Sequence, residues 1–128
     1  VLVHDAARPL VPVELVDAVA AAVRAGAEAV IPALPVADTI KQVEGGLVVA
    51  TPDRSGLAAV QTPQGFSREV LEKAHAAATG DTATDDAGLV ERLGLPVRTV
   101  PGSEEAFKVT RPVDLLLAEA ILARRRHR

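Results

Sequence analysis

The chain has 128 residues, a net charge of −3 and a hydrophobic fraction of 48%, which fit one globular domain with a modest core. It has no cysteine, which excludes a disulfide framework and a thiolate metal site and fits a cytoplasmic location. No apolar stretch approaches the roughly 20 residues that span a bilayer, no signal peptide is recognisable, and the only basic run, 124–128, is typical of a solvated helix end. We therefore expect neither a membrane nor a nucleic-acid partner.

The first predicted unit is a strand, a helix and a second strand. The apolar run at 1–3, within a predicted strand over 1–4, and the similar run at 29–33 are typical of buried strands. Between them, 12–24 begins with proline, carries an apolar stripe at helical spacing and is stopped by Gly26. This order predicts a βαβ unit of a parallel sheet. Because a buried strand needs neighbours on both sides, we expect that a segment preceding residue 1 is missing.

The next segment has the pattern of a β-hairpin. Two alternating runs, 39–43 and 47–49, flank a Glu-Gly-Gly turn. A hairpin this polar has little core of its own, and isolated hairpins are marginally stable. We expect an arm, residues 36–58, that leans on a partner subunit.

The second half of the chain continues the alternation of strands and helices. Ser67, Thr84 and Thr110 are predicted N-caps, because their hydroxyls can accept from the first free N–H groups of a helix. No internal repeat, linker or second domain is recognisable, so residues 1–128 are predicted to form a single domain. The predicted elements are strands at 58–61, 97–100 and 107–109 and helices at 67–78, 85–93 and 111–124.

Polar residues gather where several predicted strands end. Ligands of open parallel sheets bind at the carboxyl ends of the strands, and arginine and lysine among hydroxyls suit phosphate. Each cluster taken alone is equally consistent with a local cap or turn. Lys41 fits either an exposed hairpin position or a site, and His4 and His75 are interpreted as structural. The clusters are 4–8, 38–41, 61–64 and 108–110.

Six short motifs follow one another along the chain. They are His-Asp-Ala-Ala-Arg-Pro at 4–9, Asp-Thr-Ile-Lys at 38–41, Thr-Pro-Asp-Arg at 51–54, Gln-Thr-Pro-Gln-Gly-Phe at 61–66, Thr-Asp-Asp-Ala at 84–87 and Lys-Val-Thr-Arg-Pro at 108–112. In this order they resemble the methylerythritol phosphate cytidylyltransferases of non-mevalonate isoprenoid biosynthesis, and the resemblance covers essentially the whole chain. It implies a Rossmann-like α/β nucleotidyltransferase fold, with a mostly parallel sheet flanked by helices and a protruding hairpin that serves dimerisation.

The resemblance implies a reaction and a role for each matching residue. CTP and 2-C-methyl-D-erythritol 4-phosphate would give 4-diphosphocytidyl-2-C-methyl-D-erythritol and pyrophosphate, with Mg²⁺ or another divalent cation on the triphosphate. Arg54 and Lys108 would be the catalytic residues that hold and place the substrate phosphate. In a homodimer, Thr39 and Arg54 of the arm would serve the other subunit's site, and Asp5 is also a candidate metal contact. The substrate-binding matches are Asp5, Arg8, Thr39, Thr62 and Thr84.

Two departures from the family pattern qualify these expectations. Ala106 and Phe107 precede the lysine motif, where the commoner family form has Asn-Ile. The Gly-rich phosphate loop and the cytosine contacts, which belong to the family's N-terminal half, have no counterpart in residues 1–128. We therefore expect the chain to represent the C-terminal, substrate-binding part of such an enzyme, without its N-terminal half, and to be inactive alone.

Two alternatives stay open at this point. The related pentitol phosphate cytidylyltransferases, which use ribitol phosphate, share much of the motif order, although Lys41 and the Ala6-Ala7 pair favour the isoprenoid enzyme. The missing CTP loop also permits a non-catalytic binding or dimerisation module.

Overall fold

A computed structural model describes residues 1–80 and 83–127, so the last residue of the basic run lies outside the described residues. The helices are α1 (Val13–Arg24), α2 (Arg68–Ala76), α3 (Asp86–Arg92) and α4 (Pro112–Arg126), and short 3-10 turns lie at Arg54–Gly56 and Glu104–Ala106. The strands are β1 (Leu2–Val3), β2 (Ala29–Pro35), β3 (Gln42–Glu44), β4 (Leu47–Ala50), β5 (Ala58–Val60), β6 (Gln64–Phe66) and β7 (Arg98–Pro101).

The main sheet has five strands and a mixed direction. Strand β6 lies between β1 and β2 and is antiparallel to both, so the two strands of the predicted βαβ unit share a direction without pairing directly. Strand β5 pairs antiparallel with the end of β2, and β7 pairs parallel with β2. The α/β class with helices around the sheet is confirmed, and β1, β2 and β7 run in one direction. Strand β6 was not predicted, because Gln64 and Gly65 are poor strand formers.

Helix α1 packs directly on β6. Its apolar stripe buries Leu15 and Val19, which cluster with Val30 of β2. The contact is close because Gly65 has no side chain: a Cβ there would lie 2.7 Å from Cγ1 of Val19. Gly26, with φ of 114°, ends the turn that follows the helix.

The second core cluster lies on the opposite face of the sheet. Ala29 belongs to this cluster and Val30 to the α1 cluster, and successive strand residues point to opposite faces. Helices α2 and α3 cover Phe66, which is fully buried, with Val70 and Val90. The sheet is therefore sandwiched between α1 on one face and the α2–α3 pair on the other.

Several predicted boundaries need correction. Residues 107–109 are not a strand, since this segment makes no sheet pairing and follows a 3-10 turn. The N-cap of α3 is Asp85, not Thr84, and its carboxylate accepts from the N–H of Gly88 at 2.8 Å. At α4 the cap is a carboxylate from inside the helix, not the Thr110 hydroxyl: Asp114 accepts from the N–H groups of Thr110 and Arg111.

The other caps and ends follow the sequence more closely. Ser67 caps α2 as predicted, accepting from the N–H of Val70 at 3.3 Å, although the helix ends at Ala76. In the basic C-terminal run, Arg125 donates to the carbonyl of Leu10 at 2.6 Å and to the carboxylate of Glu105 at 3.1 Å. This arginine is therefore tied to the domain and is not simply solvated. Within residues 1–80 and 83–127, no helix is long and apolar enough to cross a membrane.

The predicted hairpin is present as a separate two-stranded sheet. Strands β3 and β4 pair antiparallel around Gly45 and Gly46, whose φ values of 55° and 78° suit the tight turn. Every residue of both strands is exposed, including Val43 and Leu47. The hairpin thus extends from the domain with its apolar side chains uncovered.

Candidate functional site

A polar cavity of about 370 Å³ opens where β1 ends, beside the bend between β5 and β6 and the start of α3. Most of its lining side chains can form hydrogen bonds or carry charge. It contains five of the seven residues predicted from the sequence to form a site. Its lining residues are Val3, Asp5, Arg8, Val60, Gln61, Thr62, Gln64, Thr84, Asp85, Asp86 and Lys108.

Arg8 lines this cavity and also holds its neighbouring segments together. Its guanidinium donates to the carboxylate of Asp5 at 3.3 Å and to the carbonyl of Ala106 at 2.7 Å, with a longer contact of 3.5 Å to the carbonyl of Val60. Only 13% of the Arg8 side chain is exposed. The planar fork of the guanidinium therefore joins three chain segments around the cavity.

Lys108 lies on a segment that is held on both sides. Arg8 holds the carbonyl of Ala106, and the N–H of Val109 donates to the carbonyl of Ala7 at 2.7 Å. These bonds tie residues 106–109 to the loop that follows β1, although the segment is not a strand. Lys108 itself is exposed and lines the cavity.

Gln61 braces the segment that leads to Lys108. Its side-chain amide donates to the carbonyl of Ser103 at 2.8 Å and accepts from the N–H of Ser103 at 3.0 Å. The glutamine is 5% exposed. A Cβ on Gly102 would come within 2.4 Å of the Gln61 amide oxygen, so glycine is needed for this approach.

Gln64 organises the opposite wall of the cavity. Its amide donates to the carboxylate of Asp85 at 3.0 Å and accepts from the N–H of Ala87 at 3.2 Å. Asp85 also caps α3, and Asp86 is paired with His75 at 2.7 Å. The sequence places Gln61 and Gln64 in the polar cluster 61–64 and Asp85 and Asp86 in a motif, without an individual site role for any of the four. The signal for the two glutamines is their position in that cluster at the end of a predicted strand.

The carboxylates of the cavity are paired within the protein. Asp5 pairs with Arg8, Asp85 with Gln64 and the α3 N-terminus, and Asp86 with His75. Among residues 1–80 and 83–127, by contrast, no hydrogen bond or ion pair engages the Lys108 ammonium. The arrangement offers this cation to an anionic ligand, with hydroxyl and amide groups around it.

Thr39 and Arg54 do not line the cavity. Arg54 begins a 3-10 turn at the base of the arm, where it donates to the carbonyl of Ala37. The backbone N–H of Ser55, and then its hydroxyl, hold the pKa of Asp53 below its usual value. Thr39 is exposed. The structure therefore separates the seven predicted residues into a cavity group of five and an arm group of two.

The described part of the chain contains no cluster of three or more His, Cys, Asp or Glu side chains that could hold a metal ion. Among the acidic residues of the cavity, Asp5 accepts a hydrogen bond from Arg8 with one carboxylate oxygen. Its other carboxylate oxygen has no hydrogen bond to residues 1–80 or 83–127. A Mg²⁺ that is bound mainly by substrate phosphates needs only one or two protein carboxylates. The residues present thus fit an ion brought by a nucleotide and do not fit a resident metal site.

Comparison with known proteins gives one consistent family. A family model described as 2-C-methyl-D-erythritol 4-phosphate cytidylyltransferase matches residues 1–124. Proteins of that name from Streptomyces avermitilis and Frankia casuarinae are 66% and 69% identical over 133 and 126 residues. The alignments cover 98% and 97% of this chain, and 53% and 47% of those two relatives. The chain therefore spans about half the length of the curated relatives it matches.

Solved structures agree with the sequence relatives. The crystal structure of 2-C-methyl-D-erythritol 4-phosphate cytidylyltransferase from Thermus thermophilus is 48% identical and superposes with a TM-score of 0.85. That match covers 95% of this chain and 61% of the Thermus chain. A structure titled 4-diphosphocytidyl-2C-methyl-D-erythritol synthase is 41% identical, with a TM-score of 0.84 over 94% of this chain and 55% of the other.

Proposed function

Since the chain belongs to the 2-C-methyl-D-erythritol 4-phosphate cytidylyltransferase family, we propose that it forms the sugar-phosphate-binding part of such an enzyme. The match of the family model to residues 1–124 carries this proposal. The chain is proposed to be the C-terminal part, working with a separate nucleotide-binding part in the complete enzyme. A cytoplasmic location belongs to the same proposal.

The proposed reaction is a transfer of a cytidylyl group. A phosphate oxygen of 2-C-methyl-D-erythritol 4-phosphate attacks the α-phosphorus of CTP, and the bond to the bridging oxygen of the β-phosphate breaks. The products are 4-diphosphocytidyl-2-C-methyl-D-erythritol and pyrophosphate, so phosphorus and charge balance without an oxidant or reductant. The protein's task is to position two anions and to offset their repulsion.

Lys108 is the proposed anchor for the attacking phosphate. Its ammonium lines the cavity, it has no partner in the described part of the chain, and its backbone is held on both sides. Asp5, Thr62 and Thr84 surround the same space and are proposed to contact the substrate. Because Arg8 already bonds Asp5 and the Ala106 carbonyl, its proposed contribution is to hold the wall of the pocket as well as to line it.

Arg54 and Thr39 are proposed to act in the site of a second subunit. They lie on the arm, outside this chain's own cavity, and the arm exposes apolar side chains that a partner surface would cover. Val43 is 56% exposed and Leu47 is 73% exposed. A homodimer in which each arm crosses to the other cavity would complete both sites with the same residues.

A divalent cation is proposed to arrive with CTP and to neutralise charge on the triphosphate. Asp5 is the candidate protein contact, through the carboxylate oxygen that does not face Arg8. The remaining ligands of such an ion would come from phosphate and water.

A complementation experiment tests the assignment of Lys108 and Arg54. In the full-length enzyme that carries this chain, Lys108→Ala and Arg54→Ala should each lower pyrophosphate release, since losing a charge-assisted bond costs about 1.5–3 kcal/mol or roughly 10- to 100-fold. Lys73→Ala, an exposed lysine of α2, is the matched control and should leave activity unchanged. Mixing the two impaired variants should restore part of the activity, because one site of each hybrid dimer would then have both wild-type residues. Verified heterodimers without recovery would refute the crossed-arm assignment.

Substrate identity is tested separately from the residue assignment. The full-length enzyme should turn over methylerythritol phosphate with CTP, and the isolated chain should release no pyrophosphate. Turnover of ribitol 5-phosphate with none of methylerythritol phosphate would replace the substrate in this proposal. CTP-dependent turnover by residues 1–128 alone would refute the division of labour between the two parts.

A further inference from the structure

The hydroxyl of Thr62 sits between two partners at the edge of the cavity. Its Oγ1 lies 3.0 Å from the backbone nitrogen of Asp5 and 3.0 Å from Nδ1 of His4. The other ring nitrogen of His4, Nε2, lies 3.0 Å from the backbone carbonyl oxygen of Arg8. His4 is therefore held at both nitrogens, within the loop that builds the cavity.

The direction of each of these three hydrogen bonds follows from which groups can donate and which can only accept. A backbone carbonyl only accepts, so Nε2 of His4 must carry a proton and donate to Arg8. In a neutral imidazole the other nitrogen, Nδ1, is then an acceptor. The Asp5 N–H donates to Thr62 Oγ1, which leaves the Thr62 hydroxyl proton to be donated to Nδ1.

We propose that His4 is a positioning residue that fixes the polarity of the Thr62 hydroxyl. With neutral His4, the single proton of Thr62 is committed to Nδ1, and the oxygen offers the cavity only a remaining lone pair. Such an oxygen accepts from a hydroxyl of a polyol and cannot donate to a phosphate oxygen. This inference rests on the proposed function for the identity of the ligand. It assigns the phosphate of that ligand to Lys108 and one of its hydroxyl groups to Thr62.

The division is consistent with the charges of the cavity. A phosphate monoester near neutral pH presents acceptor oxygens and negative charge, for which Lys108 on the cavity wall is the suitable partner. Thr62 would instead recognise one of the carbon-chain hydroxyls of the substrate. From the sequence alone His4 is interpreted as structural, because its two hydrogen-bond partners come together only in the folded loop.

The tautomer of His4 can be measured on this chain without any enzymatic assay. At about pH 8, above the ordinary titration range of imidazoles, long-range proton–nitrogen NMR should show His4 protonated at Nε2 and bare at Nδ1. Replacing Thr62 by valine, which removes the donor to Nδ1, should move the Nδ1 resonance to higher frequency. Thr62→Ser, which keeps the hydroxyl, should leave it near the wild-type position.

These spectra decide the proposal on their own. Three results would overturn the proposal: a proton on Nδ1, a doubly protonated ring, or an Nδ1 chemical shift that is the same in Thr62→Val as in the wild type. The wild-type tautomer is read without any substitution, so poor folding of the valine variant does not leave the proposal undecided.

Binding of two probes tests the assigned ligand group. Thr62→Val should lower the affinity for 2-C-methyl-D-erythritol 4-phosphate by about 2- to 10-fold, because one hydrogen bond is lost. The affinity for inorganic phosphate should be unchanged. Equal weakening of both probes would assign Thr62 to the phosphate and overturn the division. Wild-type chain that binds inorganic phosphate but not methylerythritol phosphate would count against the proposed function, whereas the NMR result on His4 would stand.

Discussion

Replacing Gln61 by leucine should destabilise the chain, although the two side chains have similar size. Gln61 is 5% exposed, and its amide makes two hydrogen bonds, of 2.8 and 3.0 Å, with the carbonyl and the N–H of Ser103. Leucine would remove both bonds. The Ser103 carbonyl would keep the N–H of Ala106 as a donor, at 3.0 Å, whereas the half-buried Ser103 N–H would lose its acceptor. Losing the bond to the carbonyl costs about 0.5–1.5 kcal/mol and leaving the N–H without an acceptor about 1–3 kcal/mol, partly offset by the apolar gain of leucine.

The net loss in the free energy of unfolding should therefore be about 1–3 kcal/mol. Urea unfolding followed by circular dichroism measures it, with an unchanged m-value if the two-state transition is preserved. Gln42→Leu on the exposed strand β3 is the matched control and should lie within about 0.5 kcal/mol of wild type. The amide of Ser103 should also exchange faster with solvent in Gln61→Leu. Equal midpoints for the two variants would refute the argument that Gln61 braces the segment before Lys108.

Two further perturbations test the packing of α1 and the cap of α4. Gly65→Ala should cost about 1–3 kcal/mol, because its methyl group would come within 2.7 Å of Val19, whereas Gly56→Ala meets nothing within 4 Å and should be near neutral in the same urea titration. Backbone hydrogen bonds from Thr110 and then from Arg111 lower the pKa of Asp114. The ionised carboxylate therefore stabilises the folded state at pH values above the ordinary aspartate pKa, and this stabilisation is lost as the pH falls through the lowered pKa. Asp114→Asn should therefore unfold more easily than wild type at neutral pH, and thermal melts should show this difference shrinking below about pH 4. A gap that is constant across pH would refute the carboxylate cap.

Local patterns in the sequence predicted most of the helices and the arm. The apolar stripe that becomes α1, the Ser67 cap and the Gly-Gly turn are properties of neighbouring residues, so they are legible without the fold. The errors have a common source in longer-range contacts. Strand β6 exists because β1 and β2 supply its partners and α1 accepts Gly65, and none of these partners is local to residues 64–66.

The caps show the same limit at a smaller scale. Thr84 is the predicted cap of α3, but the neighbouring Asp85 caps the helix, and Gln64, distant in sequence, helps to hold Asp85 in that position. At α4, the Asp114 carboxylate reaches back to two N–H groups, so the Thr110 hydroxyl is not needed as the cap. Short polar side chains compete for the same backbone donors, and tertiary packing decides between them.

The sequence by itself determined the family, the α/β class and the identity of the residues that carry charge, because ordered motifs and hydrophobic periodicity are properties of the chain. Only the tertiary structure decided which of these residues share a cavity. It brought Asp5, Arg8, Thr62, Thr84 and Lys108 together and left Thr39 and Arg54 on the arm. Among residues 1–80 and 83–127, it also decided which charged groups of the cavity are paired within the protein and which face the cavity without a partner. Distance and hydrogen-bond direction between segments far apart in sequence exist only once the sheet has formed.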